Sequence, residues 1–361
     1  MTKIIVGFSL LLFFQVGCDS MSDQGLTKAR LLIDTGKMGG VQYKTITFKT
    51  LKYHGKLESD FGAYYSGAVI GGDLKDLYQT RGELVKLKIN IDGDTMIPMT
   101  YHSNLLLTHY YYIEQLIEFW QERGLDFTDV KYNVYYEPSY SLTYDDSNFL
   151  IKKKANAAFM PFEKKGYKAF FVYSKDPKSD LPIAMNFAVW AHEFGHNMFD
   201  KAFARRDSKV SHKGFRRGRY YLSAMNEGIA DFFSSVVTGS NLESMQLSLA
   251  EGLEQRVLPV NFKSSSLSED SSFYRWGSVL ASCLYEIGEE IGQEKVALQV
   301  YEALKGLRED WDSNEPGFNF HHLAKRMIKI GFQSNHGDLY KRSFLKWFDD
   351  EKNRSKILAY H

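Results

Sequence analysis

Cysteine is nearly absent from this 361-residue chain, which holds only Cys18 and Cys283. With Cys18 taken up by modification near the N-terminus, no internal disulfide remains, and a disulfide-stapled scaffold is excluded. Cys283 falls on the apolar stripe of a helical pattern with no general base in its motif, so it reads as a small core residue and not as a nucleophile. An excess of charge is also missing. Lys and Arg number 45 against 44 Asp and Glu, a formal net charge of +1, which argues against nucleic acid as the main partner. The sequence contains no internal repeat, no phosphate-cradling glycine loop and no nucleic-acid module. The apolar run Ile4 to Phe14 is too short to span a bilayer comfortably.

What the chain does have is the pentapeptide His192-Glu193-Phe194-Gly195-His196. Residues four apart on an α-helix lie nearly above one another, so both imidazoles can close on one ion while Glu193 leans over the open side. Phe187, Trp190, Phe194 and Met198 repeat at helical spacing, and Leu181-Pro182 marks the expected start of that helix. A buried stripe carrying two histidines is costly unless their nitrogens are satisfied; packed core histidines bonded to backbone are the plainer alternative. Further on, Asn226-Glu227-Gly228-Ile229-Ala230-Asp231 opens a second helical pattern, with Ile229, Phe232, Phe233 and Val236 as its apolar stripe and Gly239 as its stop. Glu227 and Asp231 are again four apart. One can add an oxygen ligand, and the other can accept the free ring N–H of a ligating histidine.

These two motifs resemble those of the gluzincin metallopeptidases, and of the thermolysin-like branch in particular: His-Glu-x-x-His, then Glu-x-x-x-Asp on the next helix. The resemblance covers roughly residues 100 to 305. It implies an α+β fold, a thermolysin-like zincin with a mixed, β-rich N-terminal lobe, an α-helical C-terminal lobe and the active-site helix between them. It also implies one Zn2+ per chain held by His192, His196 and Glu227, with Glu193 as general base and Asp231 orienting His192. Peptide-bond hydrolysis would then use a water activated jointly by zinc and Glu193. Asn156-Ala157-Ala158-Phe159 resembles the family's edge strand, which pairs with extended substrate and makes Asn156 and Ala157 substrate-binding candidates. The position where the family carries an oxyanion-stabilising histidine is Phe273 here, which cannot donate. Tyr274 is next door and can, with Tyr220 and Tyr221 as further candidates, each also readable as a packed aromatic. A non-catalytic protein that keeps the site as a structural staple or peptide-binding groove is the competing reading; a general base at Glu193 speaks against it.

Lys3, the apolar run and Val16-Gly17-Cys18 resemble a bacterial lipoprotein signal, which implies cleavage before Cys18 and a lipid anchor there. The expected localisation is the cell envelope, in the inner or outer membrane, with the body outside the cytoplasm. The expected divisions are a signal peptide at 1–17, a polar tether at 18–40, a β-rich region at 41–98 and a catalytic region at 99–361, with the lobe junction near 181–203. Within these, Val85, Leu87, Ile89 and Ile91 alternate as a strand does, and a helix is expected from about Ser103 to Arg123. Strands are expected near Lys131 to Tyr136 and Tyr167 to Ser174, and helices from Leu181 onward. Arg205, Arg206, Lys209, Lys213, Arg216, Arg217 and Arg219 crowd the connection between the two motif helices, as a solvated loop or a basic rim. Asn90-Ile91-Asp92-Gly93-Asp94 lacks the later ligands of a calcium loop and reads as a turn.

Overall fold

A computed structural model describes residues 25–34, 40–71, 78–129, 131–144, 147–152, 157–162, 167–172, 181–203, 216–248, 256–268, 270–314 and 317–360. Cys18, the signal peptide, Asn156 and the basic segment before Arg216 lie outside them. The strands are β1 Lys28–Asp34, β2 Val41–Thr47, β3 Gly62–Ser66, β4 Val69–Gly71, β5 Tyr78–Thr80, β6 Glu83–Leu84, β7 Ile89–Asp92 and β8 Thr95–Pro98. Helix α1, Tyr101–Gln121, precedes β9 Tyr132–Tyr136, β10 Ser139–Tyr144, β11 Ser147–Lys152, β12 Ala157–Phe162 and β13 Tyr167–Val172. Helices follow: α2 Phe187–Phe203, α3 Arg216–Thr238, α4 Glu243–Gln246, α5 Phe273–Ile291, α6 Gln293–Asn314, α7 Phe320–Gln333, α8 Gly337–Trp347 and α9 Glu351–Leu358. The chain is therefore α+β, with sheets in the N-terminal half, helices in the C-terminal half and α2 where they meet.

Among the described residues three sheets form, with strand orders β2-β1-β8-β7, β11-β10-β4-β5 and β12-β13-β9-β3-β6. Strand β1 lies inside the segment expected to be a tether. It is a strand because Ala29, Leu31 and Ile33 alternate with Lys28, Arg30 and Leu32, and the first three are buried against the core. All three sheets mix parallel and antiparallel pairs, and the five-stranded one, called the mixed sheet below, also crosses the division expected at 98/99. Strands β3 and β6 come from before it, yet β3 pairs in parallel with β9. Periodicity marks where a strand is and says nothing about its partner. Asp92, Gly93, Asp94 and Thr95 turn β7 back onto β8 with Gly93 at φ 61°, the turn expected there.

Two local details set α2 in place. Asn186 Oδ1 accepts from the backbone N–H groups of Ala188 (3.0 Å) and Val189 (3.3 Å), so α2 starts after a short 3-10 turn at Ile183–Met185 and not at Leu181. Then Phe194, Trp190 and Met198, all fully buried, seat it between α1, the mixed sheet and α3. Helices α2, α3 and α5 cross closely because small residues sit at the crossings. A Cβ on Gly195 would lie 2.7 Å from Ala230 Cα, and one on Gly228 would lie 2.3 Å from the carbonyl oxygen of Gly277. These approaches bring the second motif against the first.

Candidate metal centre

Helices α2 and α3 place His192, Glu193, His196, Glu227 and Asp231 together. Ligand atoms of His192, Glu193 and His196 all lie within 4.8 Å of one another. Glu227 reaches across from α3, with Oε2 3.4 Å from His192 Nε2 and Oε1 3.8 Å from His196 Nε2. Two ligand atoms on one tetrahedral zinc are about 3.3 Å apart, so the two imidazoles and Glu227 are spaced to share a single ion.

The outer nitrogens are held as well. His192 Nδ1 donates to Asp231 Oδ1 at 2.8 Å, and His196 Nδ1 donates to Asn226 Oδ1 at 3.0 Å. Both bonds leave the Nε2 lone pairs facing Glu227, an arrangement that needs a cation or proton between; the Arg256 guanidinium, 3.3 Å from His192 Nε2 and from Glu227 Oε2, meets part of that need. Electrostatics say the same. Burial disfavours a charged His192, but the Asp231 carboxylate, followed by Glu227, overrides it and raises the imidazolium pKa to about 9. Burial likewise pushes Glu227 up, and the His196 and His192 imidazoles, with Arg256, outweigh it and bring the carboxyl down to about 2. Three carboxylates around two imidazoles exceed what the one Arg256 guanidinium neutralises, so the cluster still calls for positive charge, and the donor types suit zinc. The residues present fit the ion.

Glu193 is placed differently from Glu227. Its Oε2 accepts the backbone N–H of Phe159 on β12 at 2.8 Å. Strand β12 is the edge of the mixed sheet. Because Phe159 N–H points away from β13, alternation turns the backbone groups of Ala157, Phe159 and Pro161 outward. Pro161 lacks its N–H on that open side alone, where no ladder bond is lost. Ala157 is thus on the free edge beside Glu193.

Tyr274 stands at the rim, 39% exposed, its ring 4.8 Å under the Arg256 guanidinium. Burial first, then the charge of Glu227, raises its phenol pKa, which keeps the hydroxyl a donor at neutral pH. Phe273 packs its ring on Tyr274 and Tyr220. The Tyr220 hydroxyl donates to the Ser271 carbonyl, and the Tyr221 ring is buried between Trp276 and Phe320. Both are packed away from the cluster's donor role.

Arg256 carries no signature in the sequence. Its guanidinium donates to Asp231 (3.1 Å) and Glu227 (3.3 Å), and lies 3.3 Å from His192 Nε2. No motif spacing links it to α3; the contact exists only in three dimensions. Asn226 did carry a signal, since it directly precedes Glu227. Cys283 is fully buried with its thiol pKa well raised by that burial, consistent with a core residue.

No family model matches the chain, and no curated protein matches it. Among solved structures it is similar to a precursor of protealysin, a metalloproteinase from Serratia proteamaculans, at 13% identity and a TM-score of 0.47, over 86% of this chain and 90% of that one.

Proposed function

We propose that this protein is a zinc-dependent metallopeptidase that hydrolyses peptide bonds in extended peptide or protein substrates. His192, His196 and Glu227 hold one Zn2+, which when bound supplies Lewis acidity for carbonyl polarisation and water activation. The observation that carries the reading is the division of labour between two carboxylates. Both oxygens of Glu227 face imidazole nitrogens, whereas Glu193 is tied to the open edge of β12. A structural staple has no use for a second carboxylate aimed at the strand edge. An extended peptide adds to the free edge at Ala157, next to the Phe159 amide that Glu193 holds, which lays its carbonyl beside Glu193. Glu193 takes a proton from the attacking water and returns it to the leaving amine. Tyr274 and Arg256, both donors, line the opposite wall, where negative charge on the carbonyl oxygen develops.

Acylation of Cys18 holds the body at the bacterial cell envelope in this proposal. No described helix is long and apolar enough to cross a membrane.

The test pairs metal analysis with one substitution. Protein purified without added metal should carry zinc at one per chain, and Glu193→Gln should keep that zinc while losing nearly all cleavage of a peptide library. Zinc far below stoichiometry that reconstitution does not restore sinks the assignment. Zinc retained with no cleavage by the parent leaves the staple or peptide-groove reading instead.

A further inference from the structure

Lys168 is a buried lysine in a seam of aromatic side chains, and the reaction as described gives it no task. Only 7% exposed, it projects from β13 onto α2. Its Nζ donates to Asn197 Oδ1 at 2.8 Å and pairs with Asp200 Oδ2 at 2.8 Å. Asn197 in turn donates through Nδ2 to the Tyr132 hydroxyl on β9 at 2.8 Å. The same ammonium lies 5.5 Å over the ring of Phe159, whose backbone N–H holds Glu193. Residues 193, 197 and 200 share one face of α2. The β12–β13 hairpin is therefore fastened to that face twice, at Glu193 through the Phe159 amide and two turns on at Asp200 through Lys168.

Stability is a poor account of this pair. Removing both charges from water costs about as much as their attraction returns, so a buried ion pair adds little net stability over well-packed neutral residues. What it does give is geometry: an ammonium accepts only a few positions between two oxygens and a ring face, whereas aromatic packing alone lets a strand slide. We propose that Lys168 is a positioning residue. Through Asp200 and Asn197 it fixes the edge strand relative to α2, so that the Phe159 amide, and with it the Glu193 carboxylate, stays where the substrate carbonyl arrives. This rests on the peptidase reading only for its kinetic consequence.

The experiment compares the full zinc-loaded chain with Lys168→Met/Asp200→Asn, which removes both charges at nearly constant volume, and with Lys168→Arg, which keeps the cation. Amide hydrogen exchange at Phe159 should quicken at least about tenfold in the double variant, while that of Phe170 on the neighbouring strand stays as in the parent. Zinc content should not change. The kcat should fall about ten- to a hundredfold with KM within about twofold, because misplacing a reacting group acts on the chemical step. Lys168→Arg should restore most of both effects. Unchanged Phe159 exchange in the folded double variant overturns the proposal, as does uniform quickening across all strands, which marks a merely structural pair. If the double variant does not fold, Asp200→Asn alone decides by the same exchange criterion. A parent without peptidase activity defeats the functional reading and leaves the exchange result to judge the clamp.

Discussion

At the residue scale, the site is built from pairs in which one group fixes the direction of another. Asp231 orients His192, Asn226 orients His196 and the Phe159 amide orients Glu193. Orienting groups change affinity without abolishing it, so Asp231→Asn should weaken zinc binding by about ten- to a hundredfold in a chelator competition. The loss should be smaller than that from His192→Ala, which removes a ligand; equal losses would mean that Asp231 binds the ion directly. Tyr274 is the donor proposed on the wall opposite Glu193. Its hydroxyl stays protonated, and its ring is held under Arg256. Tyr274→Phe should leave zinc content and the unfolding midpoint unchanged while lowering kcat about a hundredfold, with little change in KM. Parent-like kinetics would remove Tyr274 from the mechanism and leave Arg256 as the donor on that wall.

At the scale of elements, the decisive feature is how near α2 and α3 come. Gly195 lies between His192 and His196, and its missing side chain is what lets Ala230 of α3 approach. Ala230 is one turn from Glu227. Gly195→Ala therefore pushes apart the two helices that supply the ligands. The expected cost is about 1–3 kcal/mol of stability from overpacking, read as a lower urea midpoint, with zinc affinity falling alongside. A variant that keeps both would show that the crossing has slack that the close packing does not suggest.

The same elements explain what was legible from sequence. Each motif is a local pattern, four residues apart on one helix, and the spacing alone puts its side chains on one face. That His192 and Asp231 then meet depends on how α2 crosses α3, which spacing does not contain. Here the resemblance to a known signature supplied the missing step. Arg256 and Lys168 had no such help: one reaches the cluster from a separate segment, and the other touches α2 from a strand that reads as ordinary alternation. Strand β1 was obscured for another reason. Its period-two signal, Ala29, Leu31 and Ile33, is present, but it stands beside polar, glycine-containing sequence that suggests a tether.

For the whole molecule, the core that joins the sheets to the helices contains a histidine that should govern acid stability. His109 on α1 is fully buried, shares a hydrogen bond between its Nδ1 and the Tyr64 hydroxyl (2.8 Å) and packs edge-on against Trp190 of α2 at 4.1 Å. Burial holds its pKa down at about 3, against 6.5 for an exposed imidazole. His321 on α7 is also held low, at about 4, by burial and then by the neighbouring His322 and lysines. Between these values and 6.5 the unfolded chain binds protons that the folded chain refuses. Stability contributed by neutral His109 is therefore complete above about pH 6.5 and is lost progressively as the pH falls towards 3. The urea midpoint should fall steadily from pH 7 to pH 4.5. His109→Gln keeps a hydrogen-bond partner for Tyr64 but cannot take the proton, so the variant should start lower at pH 7 and then lose less on acidification. Parallel curves for parent and variant would mean that His109 titrates normally, and that the joint between α1 and α2 is open to water and is not the sealed core described here.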